Sequence, residues 1–274
     1  EAERRAPAAE RPEIASRLGW LSKEQGDARG AERYFRRTRP DVLRGPTVTI
    51  AIAVVTLAIG VAGILSEDLR ILTWQWLSLW KPGVAAGELW RLVTVVLVHD
   101  GILHLGFNLY ALWIIGPIVE SLYGRWRFLG LYVLCAIGGS VASYAFSPAL
   151  LSVGASGAIF GLFGVLLVAD RVHKPALTRN ARNLTAQIGG LILINLVIGL
   201  TGSRFDNAAH IGGLLAGCWL GLTVVPAGAT TLRSLWQGTD RSALGRRATI
   251  IAIAGVVTLL AVCGATLLLA PAPR

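Results

Sequence analysis

The chain contains no methionine and only three cysteines, Cys135, Cys218 and Cys263, each inside an apolar run. It has no CxxC pair and no cluster of cysteine with histidine, so neither a disulfide framework nor a zinc site is supported. HExxH is missing, which argues against a zinc protease. Charge is scarce too: 15% of the 274 residues are Asp, Glu, Lys or Arg. No pair of aspartates falls in the middle of an apolar run. No metal or cofactor site is therefore expected. Position 1 is glutamate, so a chain trimmed at its start is expected. The opening EAERRAPAAE lacks an apolar core and does not read as a secretory signal.

What the chain has in quantity is apolar sequence. Hydrophobic residues make up 54% and the mean hydropathy is +0.59. A soluble domain of this length does not combine so few charges with such long apolar runs, so the class is an all-α, polytopic helical membrane protein. The net charge of +10 and pI near 10.4 then bear on orientation in a lipid bilayer and not on nucleic acid.

Glu1 to Gly45 is polar, with 11 Lys/Arg and 8 Asp/Glu, and is expected to be a solvated tail or to hold a short helix around Pro12 to Phe35. Seven apolar runs follow: Pro46 to Leu65, Ile102 to Val119, Phe128 to Phe146, Val153 to Ala169, Leu184 to Leu200, Ala208 to Val225 and Ala248 to Leu269. Each is near the length that spans a hydrocarbon core, about 17–25 residues. The organisation is a tail over 1–45, a core of six spans over 46–226, a loop over 227–247, and a seventh span with a short end over 248–274. The first connection, Ser66 to Gly101, is long and carries Trp74, Trp76, Trp80 and Trp90, so it is expected to lie in the interface or dip into it. Within it, Leu92 to Val98 is apolar but too short to span. If the N-terminus is cytoplasmic, 21 of the 26 Lys/Arg fall on the cytoplasmic side and 5 on the other. This asymmetry predicts the N-terminus inside and the C-terminus outside.

Strongly hydrogen-bonding side chains within spans are costly and mark function. Four stand out: His104 and Asn108 in the second span, Ser156 in the fourth and His210 in the sixth. In the predicted topology these spans all begin at the outer face, and each residue lies within about two turns of its start, roughly 10 Å. All four therefore share one depth and one side. Gly157 and Gly161 form one GxxxG, and Gly213 and Gly217 another, a spacing that lets helix backbones approach closely. If those faces pack, Ser156 and His210 come within hydrogen-bonding distance. A neutral histidine can then serve as base for the serine. The free N–H groups at a helix start, with His104 and Asn108, can act as oxyanion donors. The competing reading makes Ser156 a small packing residue between Gly154 and Gly157, and His210 a structural donor or proton relay. His99 is expected to be a structural loop histidine, and His173 lies in a loop on the other side. Asp170 and Asp206, at span ends, are expected to be solvated.

Several motifs, in order, resemble the rhomboid intramembrane serine proteases. They are GELWR at Gly87 to Arg91, HLGFN at His104 to Asn108, GPIVESLYG at Gly116 to Gly124 with Glu120, GASGAIFG at Gly154 to Gly161, and AHIGGLLAG at Ala209 to Gly217. The resemblance covers roughly Gly45 to Val225. It implies a rhomboid-like six-helix bundle, here with one extra C-terminal transmembrane helix. It implies a dyad of Ser156 as nucleophile and His210 as general base, with the Ser156 amide, His104 and Asn108 stabilising the oxyanion. Trp90 and Arg91 would belong to a structural, half-embedded first loop. Substrates would be single-pass membrane proteins, cut in or near the membrane. Where many relatives carry tyrosine one turn after the serine, this chain has Phe160, which can still pack on the His210 ring. The expected location is a multi-pass position in a bacterial plasma membrane, with the site open to the extracytoplasmic side. The alternatives are a non-catalytic relative that binds transmembrane clients, and a transporter with a polar relay. The second fits poorly, because the polar residues gather near one face and not at the midplane.

Overall fold

A computed structural model describes residues 46–173, 206–226 and 241–271, with isolated positions between 18 and 34 and between 183 and 190. The tail helix expected near Pro12 to Phe35 and the span expected over Leu184 to Leu200 lie largely outside the described residues. The chain divides into two compact units, Glu1–Gly45 and Pro46–Arg274, and the second carries the site.

The second unit is built from helices. They are α1 (Thr47–Leu65), α2 (Glu67–Leu77), the short α3 (Lys81–Ala85) and α4 (Arg91–Thr94), then α5 (Gly101–Tyr123), α6 (Arg125–Phe146), α7 (Ser156–Val172), α8 (Asn207–Thr223) and α9 (Arg241–Leu269). Among the described residues, four stretches are long and apolar enough to cross a membrane: Thr47–Leu65, Gly101–Tyr123, Arg125–Phe146 and Arg246–Leu269. The second and third expected spans are longer than their apolar runs. α5 continues through Pro117 to Tyr123, and one residue, Gly124 at φ +80°, reverses the chain directly into α6. The fourth is shorter at its start: Val153 to Ala155 are loop, because Gly154 sits at φ +123° and cannot continue a helix.

The packing centres on α7 and α8, which form the most extensive helix pair, with α6 against both. The reason is small residues. Gly213 and Gly217 of α8 lie against the backbone of Gly157 and Gly161 of α7, with no room for a Cβ. On its other side α8 sets Gly212 and Ala216 against Gly138 and Ala142 of α6. In an apolar solvent burial alone does not drive helices together, so close backbone approach supplies the van der Waals contact.

The first connection is an ordered element. α2 is capped by Ser66, whose hydroxyl accepts from the Leu69 amide at 3.4 Å, with Glu67 and Asp68 in its first turn. Beyond it, β1 (Leu79–Trp80) pairs antiparallel with β2 (Leu151–Ser152), the two-residue strand just before α7. Arg91 is buried at 3% exposure, and its guanidinium donates to the carbonyls of Ser78 (2.9 Å) and Gln75 (2.8 Å) and to Glu88 (2.5 Å). It also lies near the rings of Trp80 and Trp90. The Trp90 indole donates to the Trp76 carbonyl at 3.2 Å. The run expected to be too short to span forms α4 and a 3-10 turn, Val95–Leu97, and buries Leu92, Val95, Val96 and Val98 in the core. Trp76, Trp80, Trp90, Leu69, Ile71 and Leu72 stay exposed, an apolar rim that suits an interfacial position.

Glu120 shows how α1 is anchored. Pro46, before α1, offers no side-chain cap. The buried Glu120 carboxylate of α5 takes that role, accepting from the amides of Val48 (3.0 Å) and Thr49 (2.8 Å) and from the Thr49 hydroxyl (2.7 Å). A buried carboxylate is tolerable when several donors satisfy it and costly to break. Glu120→Gln turns an amide N–H toward donors and is expected to lower stability by about 2–4 kcal/mol. Thermal unfolding in mild detergent reads this, and an unchanged midpoint would refute the anchoring role.

Candidate active site

Ser156 is the first residue of α7, and Ala155 before it has no side chain to cap the helix. The first amides of α7 therefore point at the site without an intrahelical acceptor. His210 is the fourth residue of α8. Because α7 and α8 start at the same end and meet through glycines, the two side chains converge: His210 Nε2 lies 2.8 Å from Ser156 Oγ. His210 is buried, and its ring stacks on Phe160, one turn along α7 from Ser156, with centroids 4.2 Å apart and planes 9° from parallel. That platform fixes the ring plane and keeps Nε2 on the serine. His210 Nδ1 meets no hydrogen-bond acceptor among the described residues, so no third side chain completes a triad there.

His104 approaches from α5. Its Nδ1 accepts from the Asp100 amide at 3.3 Å, which leaves the proton of the neutral ring on Nε2. That Nε2 lies beside Gly154, where an added Cβ would sit 2.7 Å away. Gly154 thus meets two demands, a positive φ and a close histidine, that only glycine satisfies together. Asn108, four residues on, is buried, and its side-chain amide donates to the His104 carbonyl at 2.9 Å. Ser156, His210 and His104 are brought together, with Asn108 one turn behind His104.

The loop that presents Ser156 is tied to the first connection beyond the β1–β2 pair, and α6 is tied to it beside the loop. The Gly154 amide donates to the Val95 carbonyl (3.1 Å). The Ala155 amide donates to His99 Nε2 (3.4 Å), and the Ser140 hydroxyl of α6 donates to the Leu92 carbonyl (2.8 Å). Burial pushes the His99 imidazole down to about 4, and the neighbouring His104 acts in the same direction. The ring is therefore neutral and able to accept the Ala155 proton. His99 is a structural loop histidine, as expected, and packs edge-on against His104 with centroids 5.0 Å apart. His173 ends α7 at the far end from Ser156, its Nε2 3.0 Å from the Gly221 carbonyl.

Asp206 departs from expectation. It is the N-cap of α8, accepts from the Ala209 amide at 3.0 Å, and also accepts from the Ser143 hydroxyl of α6. Its place just before a span, four residues ahead of a histidine, is an N-cap signal legible in the sequence. Ser143, fully buried on α6, carries no such signal. Among the described residues, no group of three or more His, Cys, Asp or Glu could hold a metal ion.

The family model described as Rhomboid domain matches residues 86–227, about half of the chain. The chain is 46% identical over 134 residues to "Rhomboid protease GluP" of Bacillus subtilis, which is 49% of this chain and 26% of that one. It is 38% identical over 146 residues to "RHOMBOID-like protein 6, mitochondrial" of Arabidopsis thaliana, 53% of this chain and 47% of that one. It is 37% identical over 144 residues to "Putative rhomboid protease YdcA" of Bacillus subtilis, 52% and 71% respectively. The chain thus spans less than half the length of the first two of these relatives. The match takes in the start of α5, the Ser156 loop and α8, the segments whose geometry meets at the dyad. With four helices among the described residues able to cross a membrane, the protein is an integral, multi-pass membrane protein. The chain belongs to the rhomboid family.

Proposed function

We propose that the protein is an intramembrane serine protease that hydrolyses peptide bonds in or near the transmembrane segment of single-pass membrane proteins. The observation that carries this reading is the 2.8 Å contact between His210 Nε2 and Ser156 Oγ at the uncapped start of a helix. His210 removes the Ser156 proton as Oγ attacks the substrate carbonyl carbon. The carbonyl π pair moves to oxygen, and the same histidine returns the proton to the leaving nitrogen. Water then repeats the sequence to free the acyl group. The Ser156 amide and the Nε2–H of His104 are donors for the oxyanion, and Asn108 adds a side-chain amide on the same face of α5. No metal or cofactor enters this scheme.

The charge asymmetry supports an N-terminus in the cytoplasm, a C-terminus outside, and a site that opens to the extracytoplasmic side, as in a bacterial plasma membrane. Cleavage by the purified protein in liposomes of a panel of single-pass helices, with Ser156→Ala as control, tests the reading. Wild-type protein is expected to yield products mapped within or beside the helices. Client binding without cleavage, unchanged by Ser156→Ala, would instead identify a non-catalytic relative. His104→Ala is expected to lower cleavage about 10²-fold with little change in unfolding temperature, because it removes one oxyanion donor. A loss smaller than threefold would remove His104 from that role.

A further inference from the structure

A serine–histidine dyad leaves one electrostatic problem open. When His210 takes the serine proton its ring becomes a buried cation, and its Nδ1–H faces no acceptor among the described residues. Phe160 covers one face of the ring but carries no charge. Among the described residues, two ionisable groups stand near the ring's end of the bundle: His104, on α5, and Asp206, one turn before His210 at the start of its own helix. The first is a potential like charge; the second is a carboxylate.

Asp206 is held in place from two elements. Its Oδ1 accepts from the Ala209 amide, one residue before His210, and its Oδ2 accepts from the Ser143 hydroxyl of α6. Its main-chain carbonyl accepts from the His210 amide at 3.1 Å. The carboxylate therefore fixes the turn that carries the histidine and sets a negative charge one turn from the ring. A cation of the first connection also bears on Asp206: Lys81, the first residue of α3. Lys81 is buried, donates from Nζ to the Ser147 carbonyl at the end of α6, and feels the Asp206 charge. Burial pushes the Lys81 ammonium below the usual lysine range, and Asp206 pulls it back up.

We propose that Asp206 is a positioning residue for His210, orienting the first turn of α8 and stabilising by its charge the imidazolium formed when Ser156 attacks. The inference rests on the protease reading. It assigns to a carboxylate at a distance part of the work that a hydrogen-bonded acid does in a triad. A cap and a charge can be separated, because asparagine caps a helix about as well as aspartate but is neutral.

The experiment compares the rate of fluorophosphonate modification of full-length wild-type protein, Ser156→Ala, Asp206→Asn and Asp206→Ala in detergent, alongside thermal unfolding. Asp206→Asn is expected to unfold at the wild-type temperature yet react about tenfold more slowly at neutral pH. Asp206→Ala is expected to be slower still and less stable. An Asp206→Asn variant that reacts within twofold of wild type would overturn the proposal. Should Asp206→Asn fail to fold, Ser143→Ala decides. It leaves the charge but frees the carboxylate to turn away, and a wild-type rate there would overturn the proposal too. Wild-type protein that does not react, or reacts no faster than Ser156→Ala, would refute the protease reading itself. That outcome is distinct from failure at Asp206.

Discussion

His210→Ala is expected to slow fluorophosphonate modification of Ser156 by about four to six orders of magnitude. A serine hydroxyl is a weak nucleophile until a base removes its proton, and Nε2 of His210, 2.8 Å away, is the base in reach. Ser156→Ala is expected to abolish modification outright, and a variant lacking both residues to be no worse than Ser156→Ala in substrate cleavage, as for two residues that act as one unit. Stability is not expected to fall in proportion. Removing the imidazole forfeits its stack on Phe160, worth about 0.5–1.5 kcal/mol, while the glycine seam between α7 and α8 stays intact. Residual modification of His210→Ala within about tenfold of wild type would show that the histidine is not the base.

The second large effect lies away from the chemistry. Gly217→Val is expected to cost about 3 kcal/mol and to abolish the reaction with it. A Cβ at Gly217 would fall inside the van der Waals sphere of the Gly161 carbonyl oxygen, and the atoms it meets are all backbone. No rotamer change relieves that contact, so α8 must move off α7. The dyad, with one member on each helix, then opens. Gly213, against the Gly157 carbonyl, is under the same constraint. Gly106→Ala on α5 is the control: nothing lies within 4 Å of its added Cβ, and alanine favours a helix over glycine by about 1 kcal/mol. Its unfolding temperature should stay level or rise. Gly217→Val with wild-type unfolding and labelling would show that the seam does not set the site.

Much of this was present in the residues themselves. The apolar runs, long enough to span and separated by polar segments, require helices, because a backbone in hydrocarbon must satisfy its own hydrogen bonds. The pairs Gly157/Gly161 and Gly213/Gly217 announced a close helix contact. The positions of His104, Ser156 and His210 near the starts of alternate spans brought them to one end. These are periodic or end-relative signals, and a linear chain carries them openly. What the chain does not carry is which backbone atom meets which side chain across elements. The cap that Glu120 gives α1, the β1–β2 pair that holds the Ser156 loop, and the tie from Ser143 to Asp206 all join residues whose spacing has no period. Asp206 shows the limit most clearly. As an acid just before an apolar run it is legible as a helix cap, but the hydroxyl of Ser143 on α6 that holds it beside the catalytic candidate is not. The sequence by itself determined the helices, their small-residue faces and the depth of the polar groups. The tertiary structure alone decided their partners, because hydrogen bonds between distant segments depend on positions that packing sets.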